Sequence, residues 1–330
     1  MIIKPCRILL LFYTFIILIS CSSKKTIENI RSEIPAKNFS NYQFDVNSNL
    51  IDRVSSSNEL VLNYLKNMDG DENYTYYDLS EREKALLKEY LELLPEVYQE
   101  ILRKKLVGIY FVNDFLGSGL SDYMFSENGD FHYLLVFNPI IFSKTLSELV
   151  SYKVKTCFLS DSDNIKLEID LSDEYSGLLY ILLHEVTHIF DYERRITPYT
   201  ESHLNELIGR KEDPSPFTDK FWIDYYQMKD VLQITYKDNL YFYTEDKNKK
   251  IPDENMLKVY RELQGTPFVS LYSYISWAED FAEYVTFYHF TQKMNMPYRI
   301  RIFDNNTPVF EYEPFSNKMV FQRGESLDLF

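Results

Sequence analysis

The spacing of apolar and polar positions predicts helices followed by strands in the first half of the chain. Apolar residues recur at helical spacing over 59–68 and 80–106, and Pro95 is expected to divide the second stretch because proline has no backbone N–H to donate. Shorter apolar runs predict strands at 106–115, 122–126, 131–138 and 166–171. Asn128–Gly129, between two of these runs, is typical of a hairpin turn. Because strands come before residue 172 and helices dominate after it, the pattern predicts a helix-rich α+β fold.

The first 20 residues have the pattern of a bacterial lipoprotein signal peptide. Lys4 and Arg7 precede an apolar run over 8–19, which as a helix would rise only about 18 Å and would not cross roughly 30 Å of hydrocarbon. The run ends in Leu-Ile-Ser-Cys, a lipobox pattern in which Cys21 is lipidated and becomes the first mature residue. The alternative is an ordinary signal peptide cut nearby, with Cys21 a bystander. We expect a lipid anchor in the bacterial envelope: the outer membrane in a Gram-negative cell, otherwise the outer face of the cell membrane.

Charge and cysteine content narrow the class of protein. The chain of 330 residues has a net charge of −15, which disfavours nucleic acid as a partner. Cys6 would leave with the signal peptide and Cys21 would be acylated, so Cys157 would stand alone in the mature chain. No intrachain disulfide is then expected, and stability must come from the core or from a metal.

The polarity of the chain ends predicts a central folded domain. Residues 21–57 are polar, rich in Ser and Asn, and weakly periodic, so we expect a flexible tether there. The folded domain is expected over 58–300, followed by a C-terminal tail at 301–330. Within the domain, a further helix is predicted at 220–231.

The segment LLHEVTHIFDYE, residues 182–193, carries the strongest chemical pattern. Its helix is apolar over most of its circumference, which predicts burial, and buried polar side chains without partners are costly. His184 and His188 lie four residues apart on one helical face, so both rings can bind one zinc ion. Glu185 can then act as a general base. The alternative is a structural pair of buried histidines.

The residues after His188 exclude one class of zinc site. A metzincin would continue with a glycine and a further histidine, but Asp191 and Arg194 stand at those positions. Asp191 lies on the histidine face one turn further on, so we expect it to orient a ligating ring. The alternative is a solvated or capping aspartate.

A second helix, predicted from Ser276, offers the third ligand. Glu279 and Glu283 lie four apart on this aromatic helix, and buried carboxylates need a positive partner. Zinc and its histidines would be that partner, with Glu279 as the ligand and Glu283 accepting a hydrogen bond from a ligating ring. A solvated acidic stripe is the alternative. The remaining candidates for the third ligand are Glu193, Glu201 and His203.

The segments HEVTHIFDY and AEDFAE together resemble the gluzincin metallopeptidases and are similar to the catalytic domain of the anthrax lethal factor group. The resemblance implies a zincin-like fold and zinc ligation by Glu279. It also implies a tyrosine near the reacting water, seven residues before that ligand, which is Tyr272 here, with Tyr274 as a neighbouring alternative. His188 and Glu279 are 91 residues apart, which is longer than usual in the family and suggests an insertion at about 197–268.

The sequence therefore predicts a lipid-anchored zinc metallopeptidase that acts on a peptide or protein. Its fold would be zincin-like, with a small mixed sheet before the motif helix and a helical C-terminal half. The substrate is expected to extend along an edge strand, for which 131–138 is the candidate. One alternative is a non-catalytic surface lipoprotein or adhesin, which Glu185 disfavours because metal binding alone does not need it. Another is a zinc hydrolase acting on cell-wall peptide.

Overall fold

The computed structural model of the protein describes residues 27–159, 164–198, 215–324 and 327. The predicted signal peptide at 1–20 and Cys21 lie outside these residues. Within the described ranges, no helix combines the length and the apolar character needed to cross a membrane. The α-helices are α1 (Ile27–Glu33), α2 (Glu59–Asp69), α3 (Glu81–Leu93), α4 (Glu96–Lys105), α5 (Leu146–Lys155), α6 (Leu178–Arg194), α7 (Met256–Gln264), α8 (Trp277–Tyr288) and α9 (Lys318–Arg323). The strands are β1 (Thr75–Tyr76), β2 (Leu106–Asn113), β3 (Gly119–Phe125), β4 (Phe131–Phe137), β5 (Phe158–Leu159), β6 (Ile165–Asp170), β7 (Ile251–Pro252), β8 (Arg299–Asp304) and β9 (Thr307–Tyr312).

A four-stranded mixed sheet precedes the motif helix α6, as predicted. Its strand order is β1-β2-β4-β3. Strands β2 and β4 are parallel, whereas β3 and β4 form the predicted antiparallel hairpin. Gly129 in the hairpin turn has a φ of +81°, a backbone conformation that favours glycine. Mixed sheets combined with helices place the fold in the α+β class.

The prediction that residues 131–138 form an edge strand is wrong. Strand β4 lies between β2 and β3, and β3 is the edge of this sheet. The polarity of the two strands explains the order. The sequence FHYLLVF is apolar almost throughout, as an interior strand buried on both faces should be. The edge strand GLSDYMF exposes more of its residues and carries a serine and an aspartate.

Local capping signals set the helix boundaries in the first half of the chain. Ser80 and Glu83 form a reciprocal capping box at the start of α3. Helix α3 ends at Leu93 and α4 begins at Glu96, so the predicted break at Pro95 is confirmed. The motif helix α6 is buried along most of its length and contacts both β3 and α8.

The prediction of a flexible tether is wrong for residues 27–57. This segment contains α1 and packs on the folded body. Arg53 is buried and donates hydrogen bonds to the carbonyl oxygens of Leu102 and Leu106 at 2.8 and 2.6 Å. The polar composition of the segment was misleading because one of its charged side chains, Arg53, is buried and satisfied by backbone carbonyl groups of a distant part of the chain.

The C-terminal tail predicted at 301–330 is folded as far as residue 324, and the predicted helical C-terminal half also contains strands. Strand β8 pairs with β6 on one side and with β9 on the other in a three-stranded antiparallel sheet, so strands occur after the motif as well as before it. Arg323 in α9 pairs with Asp280 in α8, with Nη2 2.6 Å from Oδ2 in a fully buried contact. The chain end as far as residue 324 is therefore part of the same folded body.

The helix predicted at 220–231 does not form. Trp222 and Met228 make an isolated antiparallel bridge instead. The carboxylate of Asp224 accepts hydrogen bonds from the backbone N–H groups of Tyr226 and Gln227 at 2.9 and 2.7 Å. An aspartate that bonds its own following backbone in this way stabilises a turn in competition with a helix.

Candidate metal centre

Helix α6 presents two histidines on one face, next to helix α8. His184 and His188 lie four residues apart, and their ring centroids are 4.9 Å from each other. Ser276 caps α8 by accepting a hydrogen bond from the Glu279 N–H at 3.2 Å. The cap holds Glu279 in the first turn of α8, where its side chain faces the two rings.

Ligand atoms from the two helices converge on one place. Glu279 Oε2 lies 3.0 Å from His184 Nε2 and 3.6 Å from His188 Nε2. One ligand atom from each of the three residues lies within 4.8 Å of the others. Two imidazole nitrogens and a glutamate oxygen form a donor set typical of catalytic zinc sites. The three residues predicted to bind metal are thus brought together, and their donor atoms could hold one metal ion.

The three ligand side chains influence one another's protonation. Burial lowers the pKa of His184, but the carboxylates of Glu279 and Glu283 outweigh it and raise the pKa to about 9. Burial likewise opposes ionisation of Glu279, yet the two histidines hold its pKa well below the usual range. A metal ion entering the site must displace a proton from His184, so its affinity is expected to fall as the pH is lowered.

Glu283 lies one turn beyond Glu279 in α8. It faces Nδ1 of His184, whereas Glu279 faces Nε2 of the same ring. Glu283 Oε1 is 3.2 Å from His184 Nδ1, an ion-pair distance without the alignment of a hydrogen bond. The same carboxylate accepts hydrogen bonds from Ser270 Oγ at 2.6 Å and from the Tyr180 hydroxyl. The structure therefore places Glu283 where a carboxylate partner of a ligating histidine was predicted.

Lys153 is a buried residue of the site that sequence patterns did not indicate. Its ammonium lies 3.3 Å from Glu283 Oε1, donates to the Tyr180 hydroxyl at 2.7 Å, and sits 3.2 Å from the centre of the Tyr272 ring. Burial raises the pKa of Glu283, but Lys153 and then His184 outweigh it and bring the pKa to about 2. Lys153 thus keeps Glu283 ionised behind the metal ligands. The one feature of the sequence that could have indicated Lys153 is that a lysine stands among the buried positions of α5.

Replacing Lys153 with methionine is expected to weaken zinc binding about 10- to 100-fold, the usual effect of removing an outer partner of a metal ligand. Without the ammonium, Glu283 loses the charge that keeps it ionised next to His184. Isothermal titration with zinc measures the change. Lys155→Met, at an exposed position of the same helix, is the matched control. Equal zinc affinity in both variants would contradict this role of Lys153.

The side chain of the predicted general base, Glu185, extends from the motif helix α6 toward the edge strand β3. Its side chain is largely buried, and Gly119 of β3 passes directly over it. A Cβ atom at position 119 would lie 3.1 Å from Glu185 Cγ and would overlap the side chain of Ile181. Glycine at this position therefore permits the close approach of β3 to α6, a requirement that no local sequence signal revealed.

Gly119→Ala is expected to lower the free energy of unfolding by about 1–3 kcal/mol, because the added methyl group overpacks the contact between β3 and α6. Urea unfolding followed by circular dichroism measures the loss. Ser121→Ala, two residues further along the same strand, is the matched control and should be nearly neutral. Equal stability of Gly119→Ala and the native protein would show that the strand can shift without cost.

The structure separates the two candidate tyrosines. The Tyr272 ring centroid lies 6.0 Å from that of His184. Burial, followed by the nearby carboxylates of Glu279 and Glu185, raises the pKa of Tyr272 well above its usual value, so its hydroxyl stays protonated. Tyr274 points elsewhere and donates to the carbonyl oxygen of Leu232 at 3.3 Å. Only Tyr272 of these two belongs to the site.

Two other candidate site residues of the motif helix, Asp191 and Glu193, make hydrogen bonds outside the site. Asp191 accepts hydrogen bonds from the Thr197 N–H at 2.7 Å and the Thr197 hydroxyl at 2.5 Å. These bonds hold the chain that follows α6, and within the described residues Asp191 makes no hydrogen bond to either histidine. Glu193 accepts a hydrogen bond from the hydroxyl of Tyr133 at 2.8 Å. The other two reserve ligands, Glu201 and His203, lie outside the described residues.

The segment over residues 215–243 borders the site on two sides. At one side Tyr225 packs edge-on against Trp277, at the start of α8, with ring centroids 5.6 Å apart. At the other side Phe242 packs edge-on against Tyr272, at 4.7 Å. This described part of the predicted insertion therefore places aromatic side chains on two sides of the candidate metal centre.

No protein-family model, no curated protein and no solved structure matches this chain.

Proposed function

We propose that this protein is a zinc-dependent metallopeptidase with a zincin-like arrangement of helices α6 and α8. The observation that carries the proposal is the convergence of His184, His188 and Glu279, with Glu185 adjacent to His184 in the same helix. A site that only bound metal would not need a carboxylate at the position of Glu185.

Each of the side chains around the site has a defined part in peptide hydrolysis. Zinc held by His184, His188 and Glu279 would supply Lewis-acid activation of water and of the peptide carbonyl. Glu185 accepts the proton of the attacking water and returns it to the leaving amine. Tyr272, kept protonated, donates a hydrogen bond to the oxygen that gains negative charge.

The edge strand β3 is the place where an extended substrate would bind. Peptides commonly add a strand to an exposed sheet edge through main-chain hydrogen bonds. Gly119 lies on this edge and against Glu185, so a paired peptide would pass next to the general base. This assignment replaces the one made for residues 131–138, which lie inside the sheet.

We also propose that a lipid on Cys21 anchors the protein in the bacterial envelope, on the basis of the lipobox pattern. Helix α1 begins at Ile27, six residues after the cysteine. An extended chain of that length reaches about 20 Å. The folded domain would therefore lie close to the membrane surface rather than at the end of a long tether.

Removing the metal tests the proposed activity. Dialysis against a chelator is expected to abolish hydrolysis of a mixed peptide library, and one equivalent of zinc should restore it, because the side chains alone do not activate the water sufficiently. Mass spectrometry of the cleaved peptides measures the activity. Full hydrolysis by the chelated protein would contradict the proposal, and so would zinc-loaded protein that cleaves no peptide.

A further inference from the structure

The hydrogen bonds of the β3–β4 hairpin define which β3 residues direct their backbone groups away from the sheet. Asn138 N–H donates to the Ser118 carbonyl oxygen at 3.1 Å. These two residues are directly opposite each other in the register that pairs Gly119 with Phe137. Bonded and non-bonded pairs alternate along an antiparallel ladder, so every second β3 residue faces the open edge. The outward-facing residues are Gly119, Ser121, Tyr123 and Phe125.

A segment that we name the N-terminal cap, residues 35–38, covers the far end of this edge. Asn38 forms a parallel bridge with Phe125, one of the outward-facing residues. The next residue, Phe39, stacks on the ring of His132 in β4 with centroids 3.9 Å apart. The cap is therefore held both along the strand and against the sheet behind it.

A buried ion pair extends the covered part of the edge to Tyr123. Lys37 of the N-terminal cap pairs with the carboxylate of Asp122, and both side chains are largely buried. The Lys37 ammonium also lies 4.0 Å from the centre of the Tyr123 ring. The Tyr123 N–H is already bonded, at 2.8 Å, to the Asp122 carboxylate. Separating this pair would leave a buried charge without its partner, which is strongly unfavourable.

The part of the edge that remains open is short and begins at the general base. In the described chain, the outward backbone groups of Gly119 and Ser121 make no hydrogen bond. Gly119 lies against Glu185, and the strand runs about 13 Å from there to Tyr123. An extended peptide can therefore pair over about four residues on this side of the cleaved bond before it meets the cap.

We propose that the N-terminal cap limits the length of substrate on one side of the cleaved bond to about four residues. The inference rests on the proposed peptidase function and names its substrate class. That class is oligopeptides, or unfolded chains with a free end close to the cleaved bond. Loops within folded proteins are excluded, because their chain continues on both sides of the cleaved bond and would meet the cap on one of them.

Two series of peptides around one cleaved sequence test the length limit. One series is lengthened at its N-terminal side and the other at its C-terminal side, each from about two to about ten residues. One of the two series extends toward the cap. In that series kcat/KM is expected to fall about tenfold or more once the lengthened side exceeds about four residues, because the longer chain meets the cap and loses pairing with β3. The other series should show no such fall.

A variant in which the cap is held less tightly tests whether the cap causes the length limit. Lys37→Ala combined with Phe39→Ala removes the ion pair and the ring stacking, and should raise kcat/KM for the long peptides about threefold or more. Hydrogen exchange at the amides of Tyr123 and Phe125, the outward-facing residues that the cap covers, reports release of the cap without relying on activity, and should become faster. Lys84→Ala, which removes an exposed lysine from α3, is the matched control and should change neither quantity.

The possible outcomes separate this inference from the proposed function. Equal kcat/KM at all lengths in both series would overturn the length limit and leave the peptidase standing. A limit that persists in the double variant despite faster exchange would overturn the role of the cap. Failure of the zinc-loaded protein to cleave any peptide would instead overturn the peptidase function. If the double variant does not fold, the two series measured on the native protein decide the limit by themselves.

Discussion

Glu185→Gln is expected to reduce kcat for peptide hydrolysis by about 10²–10⁴-fold while the protein still binds one equivalent of zinc. Glutamine has nearly the same shape as glutamate, so the contact with Gly119 is retained. It cannot accept the proton of the attacking water, so the chemical step fails. Steady-state kinetics and metal analysis of the same preparation measure the two quantities together.

The exposed Glu174, in the loop before α6, provides the control. Glu174→Gln makes the same chemical change at a distance from the metal centre and should keep native activity and zinc content. Native activity in Glu185→Gln would sink the proposed mechanism. Loss of zinc in that variant would show that Glu185 supports the metal rather than the proton transfer.

Glu279→Ala is expected to weaken zinc binding by more than about 100-fold, which exceeds the usual effect of losing an outer partner of a ligand. Glu279 supplies the carboxylate oxygen closest to both histidine rings, at 3.0 and 3.6 Å. Without it, two imidazoles remain, and no other described carboxylate or cysteine completes a three-residue ligand group with them. Competition for zinc with a chromogenic chelator measures the affinity.

Glu193→Ala is the matched comparison because Glu193 was a reserve candidate for the third ligand. Its carboxylate is bonded to Tyr133, so its loss should leave zinc affinity unchanged. The reverse pattern, with tight binding in Glu279→Ala and weak binding in Glu193→Ala, would move the third ligand to α6.

The parts of the fold that depend on neighbouring residues were predictable. The capping box of Ser80 and Glu83, the break at Pro95 and the hairpin at Gly129 each act through bonds within a few residues. The same holds for the pair of histidines, because the spacing of i and i+4 on a helix places both rings on one face. Glu279 was identified by its spacing from Glu283 on an aromatic helix and by the resemblance, and not by its distance along the chain from His188, which is 91 residues.

The features that were missed depend on contacts between distant parts of the chain. Strand β4 inserts between β2 and β3, and hydrophobic pattern alone does not define the order of strands. Arg53 bonds to the Leu102 carbonyl 49 residues away, so the polar N-terminal segment folds against the body instead of extending into solvent. Lys153 looked like an ordinary helical lysine, because its carboxylate partner Glu283 lies 130 residues further along the chain.

X-ray absorption at the zinc edge tests whether His184, His188 and Glu279 together bind one zinc ion. The measurement is made on purified native protein containing one equivalent of zinc. We expect two imidazole nitrogens and carboxylate oxygen at about 2.0–2.2 Å from the zinc, with no sulfur ligand. We also expect that one nitrogen contribution disappears in His188→Ala. A sulfur ligand at about 2.3 Å, or a shell without imidazole, would contradict the assignment.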